Sequence, residues 1–300
     1  MALGAVALGF SVQGLTPQSS VSNGTFLLEA LGEEKPASTP DTQVEAESLR
    51  GVQSQRLGLR EPAAGRPLDL EIRVALLGAG SMPTLSADAP WQLISREGRV
   101  LLTGKARDPV PEVWSETLTE AWLVTAAGHL QVNGQPYAGR LRLVRDGTGV
   151  QLINHLPLEL YVSSVVGAEM PSSWSMEALR AQAVAARSYA LAHMARPASR
   201  HWHLGDTTRW QAYRGLASSN ERTRQAVNGT AGLILSYQGG IVESLYAANR
   251  EISLEAHGHL GASMSQHGAQ ALAQQGLTYT EILGRYYQGA SLARLKAGAG

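Results

Sequence analysis

The spacing of the apolar residues changes near position 155, and that change restricts the fold more than any other feature of the chain. From Glu71 to Asn154 apolar side chains alternate with others, as in Ile72, Val74 and Leu76, and again in Leu141, Leu143, Val150 and Leu152. A period of two belongs to half-buried strands. Trp91–Ile94 and Arg99–Leu102 flank Glu97-Gly98, and Leu130 and Val132 lead into Asn133-Gly134, a dipeptide suited to a two-residue hairpin turn. Beyond 155 the spacing turns helical. Leu158, Val162, Val165 and position 169 recur on one face, and Met170-Pro171 closes the run, because a residue before proline avoids the helical basin.

Met176 to Met194 predicts a second helix, with Ala178, Ala181, Ala183, Ala185, Ala186 and Ala190 in it. Such small residues let another backbone approach closely, and they are also plain helix formers. Leu233–Tyr237 and Ile241–Tyr246 around Gln238-Gly239-Gly240 read as a further hairpin. Ser263 to Gln275 reads as a helix stopped by Gly276, and Thr278 with Glu281 forms a capping box for a last helix through Tyr287. Strands first and helices with hairpins after predict an α+β fold. No internal repeat is present.

Residues 31–68 are rich in Glu, Gln, Ser, Pro and Gly, with Pro36, Pro40, Pro62 and Pro67, and carry no apolar period. They predict a disordered linker. Met1 to Val12 is apolar with no Lys or Arg before it, too short to cross a bilayer and close to a signal peptide in length. Residues 1–67 are therefore expected to be an export or anchor remnant with its linker. A domain over 68–293 follows, β-rich over 68–154 and helical with hairpins over 155–293, and 294–300 form a tail.

Charge narrows the partners. Twenty-five basic and 25 acidic residues balance, and charged residues make up 17% of the chain, so there is no electrostatic footprint for nucleic acid or an anionic membrane surface. No Cys is present, which excludes disulfides, thiolate metal sites and a Cys nucleophile. Phosphate-binding Gly-rich loops and a Gly-x-Ser-x-Gly elbow are absent as well.

Three segments could carry chemistry. Glu169 continues the stripe Leu158–Val162–Val165 into the last helical turn, where the helix dipole is negative. An apolar seam and that dipole would both favour a carboxyl that keeps its proton, which a general acid needs. An ordinary solvent-facing Glu at a helix end is the plainer reading. The run Asp206-Thr207-Thr208-Arg209-Trp210-Gln211-Ala212-Tyr213-Arg214-Gly215 mixes polar and aromatic side chains, the combination that binds sugars, although an exposed loop with incidental aromatics has the same composition. His257, His259 and His267 lie within eleven residues. Their spacing is not the i, i+4 pair of zinc hydrolases and no carboxylate follows closely, so neither a metal nor another cofactor is expected.

These segments together resemble the stage II sporulation protein D family, also called the amidase-enhancer family. Leu152 to Leu191, LINHLPLELYVSSVVGAEMPSSWSMEALRAQAVAARSYAL, is similar to the family's long block around Glu-Met-Pro. Asp206 to Gly215 resembles its D-x-T-x-x-Q-x-Y-x-G element, Ala226 to Tyr246 its strand pair, and Met264 to Leu292 its C-terminal MSQ-x-GA signature. The resemblance spans about residues 70–293.

It implies a lytic transglycosylase acting on peptidoglycan glycan strands already stripped of peptides, in an exported protein of the periplasm or cell wall. Glu169 takes the place of the catalytic acid. Arg187, Tyr189, Gln211, Tyr213, Ser265 and Gln266 take places that would hold the strand. A single carboxylate suffices if the sugar's own 6-hydroxyl closes a 1,6-anhydro ring, whereas hydrolases use two. Two departures stand out. Only Ala247 to Glu255 bridges Tyr246 to His257, where the family has a longer insert, and GHLGASMSQ carries one residue more than the usual turn. A shortened groove wall would suit the alternative role, a non-catalytic wall-binding activator of an N-acetylmuramoyl-L-alanine amidase.

Overall fold

The computed structural model describes residues 58–65, 68–111, 119–146, 149–247 and 263–295. The alternation read from the sequence becomes nine strands over Glu71–Pro157: β1 (Glu71–Ala75), β2 (Leu85–Ala87), β3 (Trp91–Ser95), β4 (Val100–Gly104), β5 (Glu120–Thr125), β6 (Leu130–Val132), β7 (Gln135–Tyr137), β8 (Arg140–Asp146) and β9 (Gly149–Pro157). With β10 (Leu204–Gly205), six of these make a sheet in the order β10-β1-β9-β8-β5-β3-β4, in which only β1 and β10 are parallel among the described residues. The inward set Ile72, Val74, Leu93, Leu123, Leu141 and Leu143 is fully buried, which fixes the register, since a one-residue slip would turn each of them outward. Asn133 (φ 51°) and Gly134 (φ 77°) close β6 on β7 with both central residues left-handed, the turn that the dipeptide predicts.

Strand β9 runs straight into α1 (Leu158–Glu169), and α2 (Met176–Ala195) follows. Met170 is extended (φ −129°, ψ 140°) and ends α1 where the proline rule places its end. All residues from Ala181 to Ala192 of α2 are buried. The Ala-rich helix is thus the hub of the helical half, and small side chains are what allow α1, the later helices and β11 (Leu233–Tyr237) to pack around it. A helix absent from the sequence reading, α3 (Glu221–Asn228), starts at Asn220 with a capping box to Thr223.

Two expectations change. The hairpin after Tyr237 closes through Gln238 and Gly239, but its second arm is only β12 (Gly240–Ile241); the next strand, β13 (Leu245–Ala247), pairs in parallel with β14 (Ser263–Ser265). The helix expected from Ser263 begins only at Gln266, because Ser263–Ser265 are taken by that strand pair. Ser265 then caps α4 (Gln266–Gln274). The last helix, α5 (Tyr279–Tyr286), has the Thr278/Glu281 capping box, and β15 (Ser291–Arg294) returns to pair with β11.

Residues 58–65, assigned by composition to the linker, lie against this C-terminal part. Leu59 N–H donates to Thr280 O (3.1 Å), Arg294 Nε to Ala63 O (3.1 Å), and the Tyr279 hydroxyl binds Glu61. Backbone hydrogen bonds, invisible in composition, hold them there.

Candidate active site

Three separate stretches of chain meet at Glu169. The side chain leaves the apolar seam at the last residue of α1: Leu158, Val162 and Val165 are buried, whereas the half-buried Glu169 carboxyl meets donors rather than hydrocarbon. Its Oε1 accepts the Ala212 backbone N–H at 2.9 Å, and its Oε2 accepts from the Gln266 side-chain amide at 3.3 Å. Position 169 ends a helix, Ala212 lies in the polar-aromatic run, and Gln266 opens α4. The fold therefore joins the three blocks that the sequence reading singled out.

Behind the carboxyl lies a chain of neutral donors and acceptors. Tyr161 Oη donates to Gln211 Oε1 (2.9 Å), and Gln211 Nε2 donates to Ala186 O (3.2 Å) and to the Tyr246 hydroxyl (2.7 Å). Burial first, and then neighbouring charges that include Glu169, holds the Tyr161 and Tyr246 phenols well above their ordinary range, so both stay protonated. Tyr213 donates to Asn154 Oδ1 (2.6 Å), while Asn154 donates to Ala138 O and Arg140 O, tying the site to the sheet.

Next to the last turn of α1 opens a groove of about 610 Å³, within the range of about 300–1,000 Å³ typical of ligand sites; its lining includes neighbours of Glu169 in the chain but not Glu169 itself. Its wall includes Gly167 and Ala168, which immediately precede Glu169, and Tyr213 and Arg214, which follow Ala212. The β6–β7 hairpin, the turn at Gly78 and Ala79, Asp206, Ala217 and Ser218 complete it. Gly167 is required by close approach: a Cβ there would sit 1.9 Å from Ser218 O. Hydroxyl contacts Ser163–Ser219 (2.8 Å) and Ser164–Ser218 (3.0 Å) hold that turn against α1. Asp206 accepts the backbone N–H groups of Leu77 (2.9 Å) and Gly78 (3.2 Å), and burial holds its carboxyl above the ordinary range.

The expected strand-holding residues divide. Gln266 touches Glu169, Gln211 lies in the layer behind it, and Tyr213 lines the groove. Arg187 does not reach the groove. It is fully buried, its Nε and NH2 on the Glu159 carboxylate (2.9 and 2.7 Å), with its guanidinium also on Leu233 O and Val227 O. Tyr189 is buried beside His193, its phenol pushed up to about 12 by burial. Ser265 spends its hydroxyl on the Gly268 N–H as a helix cap. The Ala212 N–H, Tyr161 and Tyr246 escaped the sequence reading. A backbone donor leaves no side-chain signature, and a lone tyrosine at strand or helix spacing reads as core.

His257 and His259 lie outside the described residues, as do Ala248–Glu255; His267 is exposed on α4 with its ring 5.0 Å from Trp174. No described helix is long and apolar enough to cross a membrane.

Fold and site define an α+β protein in which a backbone amide and a glutamine hold a glutamate at the end of a helix whose last turn borders a groove. Residues 146–237 match the SpoIID family model, described as a stage II sporulation protein. An uncharacterised protein of Brachyspira hyodysenteriae is 36% identical over 118 residues, 39% of this chain and 32% of the relative. The amidase enhancer of Bacillus subtilis is 36% identical over 102 residues, 34% of this chain and 14% of that protein. The stage II sporulation protein D of the same organism is 32% identical over 114 residues, 33% of each. Over residues 146–237 the chain thus carries a stretch similar to the stage II sporulation protein D and amidase-enhancer family. The matched stretch spans a third or less of each of these relatives' length.

Proposed function

We propose that the protein remodels peptidoglycan as a lytic transglycosylase, cleaving peptide-free glycan strands outside the cytoplasm, in the periplasm or cell wall, with Glu169 as acid and base. The observation that carries this reading is the Glu169 carboxyl, clamped by Ala212 and Gln266 where two walls of the groove begin. The shorter bond fixes Oε1 as an acceptor. Oε2, on the longer bond, is the oxygen that carries the proton to the substrate.

The chemistry balances with this one group. Glu169 gives its proton to the bridging glycosidic oxygen, and the bond from that oxygen to C1 of the muramic residue breaks. The 6-hydroxyl oxygen of the same residue bonds to C1, and its proton goes to the Glu169 carboxylate. The products are a shortened strand and a 1,6-anhydromuramic end, no water is consumed, and the acid is restored. General acid catalysis of this kind contributes about 10²–10⁴-fold.

Digestion of peptide-free strands followed by mass spectrometry tests the reading. Wild type should release 1,6-anhydromuramic ends and Glu169→Gln should release none at unchanged melting temperature. Equal release from both would refute it.

A second reading, activation of an N-acetylmuramoyl-L-alanine amidase by a wall-binding protein, is favoured by the short bridge between Tyr246 and His257 and by the amidase-enhancer name of one relative. It calls for no anhydro ends from wild type and faster amidase turnover on adding the protein, unchanged by Glu169→Gln.

A further inference from the structure

The groove at the end of α1 is lined by one arginine, Arg214. Arg214 is exposed, and its backbone N–H donates to Ser164 Oγ (3.4 Å), but its guanidinium makes no ion pair or hydrogen bond among the described residues. Arg140, Arg142, Arg180, Arg196 and Arg224 are each paired with a carboxylate, and none of these five lines the groove. The acidic group sharing the groove, Asp206, has both oxygens turned to the amides of Leu77 and Gly78. The Asn133 amide is equally engaged, its Oδ1 with Thr84 and its Nδ2 with Ala79 O. Among the described residues, the side-chain donors of the groove wall left without a hydrogen bond are then Arg214, Gln135 and the Tyr137 hydroxyl. Tyr137 stays a neutral phenol, pushed up to about 12 by burial and by the charge of Asp206.

The position of Arg214 is fixed by the site itself. Ala212 donates to Glu169, and two residues of chain reach at most about 7 Å, so the Arg214 backbone stays within one sugar-binding position of the acid. Gly215 follows with φ 57°, and a Cβ there would sit 2.4 Å from Pro136 O, so the chain after Arg214 is locked against the β6–β7 hairpin. A guanidinium on a fixed backbone, with five donors in a planar fork, matches a carboxylate in two-point contact.

A peptidoglycan strand offers one kind of carboxylate once its peptides are gone. Each muramic residue then ends its lactyl ether in a free carboxylate, whereas a peptide-bearing residue has an uncharged amide in that place with a peptide beyond it. We propose that the groove is the subsite for a muramic residue and that Arg214 pairs with its free lactyl carboxylate, so that this arginine reads whether the strand has been stripped. The proposal deepens the glycan-cleaving reading and rests on it for the identity of the ligand.

Calorimetric titration on a Glu169→Gln background separates binding from cleavage. The probes are a GlcNAc–MurNAc tetrasaccharide with free lactyl carboxylates, the same oligosaccharide with those groups converted to methylamides, and a chitin tetrasaccharide, which lacks the lactyl group. Binding of the acid form about tenfold or more tighter than the other two is expected, weakening as salt rises. Arg214→Gln should bring the three within about twofold of each other, and Arg214→Lys should keep part of the preference. Arg214 is exposed, so both variants should melt with the parent. Equal affinity for acid and amide, a preference that survives Arg214→Gln, or no binding of the acid form at millimolar concentration would each overturn the proposal. Anhydro ends are measured separately with wild type. A carboxylate preference without anhydro ends would leave the subsite standing and remove the transglycosylase reading, and anhydro ends without a preference would do the reverse.

Discussion

Glu169 and Arg187 come from one continuous block of sequence, and the fold puts them to opposite uses. Glu169 sits half-buried at the end of α1, its carboxyl on two donors from distant chain segments and a groove beside it. Arg187 sits in the middle of α2 with none of its surface exposed, bridging Glu159 of α1 to the carbonyls of Leu233 and Val227. One charge stays partly open to solvent at a helix end, and the other is sealed in as a cross-brace for helix and sheet. A strongly patterned block therefore contains both chemistry and scaffolding, and burial with partner identity separates them where pattern cannot.

Substitution at the two positions should separate along those lines. Glu169→Gln keeps the size and, through its one carbonyl oxygen, one of the two acceptor contacts, and removes the transferable proton. Release of anhydro ends should fall by at least about 10²-fold, with a melting temperature within a degree or two of wild type. Arg187→Ala should do the reverse. Truncating this buried side chain leaves the Leu233 and Val227 carbonyls without their donor and opens a cavity, at a cost on the order of 2–5 kcal/mol, which denaturant unfolding would read directly. A stable Arg187→Ala protein that had lost only substrate affinity would return Arg187 to the substrate and break the comparison.

Gly167 lies between the two cases, since it both packs α1 and lines the groove. In Gly167→Ala a methyl would meet the Ser218 carbonyl, and overpacking of this kind costs about 1–3 kcal/mol. The turn at Ser218 must shift, so affinity for oligosaccharide should fall along with stability. Calorimetric binding and thermal melting on the same sample check both. Loss of stability with unaltered binding would show that the groove wall at Ser218 plays no part in the site.

Local chemistry made much of this legible in advance. The strands around Ile72–Val74, Trp91–Ile94, Val100–Leu102, Leu130–Val132 and Leu141–Leu152, the Asn133-Gly134 turn, the end of α1 at Met170-Pro171 and the Thr278/Glu281 cap each depend on neighbours within a few residues, so the residues announce them, whereas β2 and the inner strand β5 are not singled out. The role of Arg187 depends on Glu159, 28 positions earlier, and on carbonyls more than 39 positions later, so it could be read only once the helices were packed. The β13–β14 pairing failed to register because three residues are too few for a period and the pairing is parallel. At the site, the residue types were visible but their grouping was not: Glu169, Ala212 and Gln266 meet across separations of 43 and 97 positions.

The division between scaffold and site extends to pH. His203 is buried on the sheet edge, where its Nδ1 lies 3.1 Å from the Arg73 backbone N–H and its Nε2 lies 3.0 Å from Arg73 Nε. A protonated imidazole has no acceptor left for either donor. Burial first, then the charge of Arg73, lowers its pKa from 6.5 to about 3. In the unfolded chain the ring takes up a proton below about 6.5, while the folded protein refuses it until about 3. Stability from this residue is therefore complete above 6.5 and drains away as the pH falls towards 3. Between pH 6.5 and 5 the loss is about 2 kcal/mol. His203→Gln should lower stability at neutral pH yet flatten its decline over that interval, as calorimetric melting at several pH values would show. Among the described residues no hydrogen bond joins His203 to Glu169 or to the groove wall, so the pH profile of anhydro-end release, measured well below the melting temperature, should be the same in both proteins. A parallel decline in stability, or a shifted activity profile in the variant, would mean that brace and site are not separate parts of this molecule.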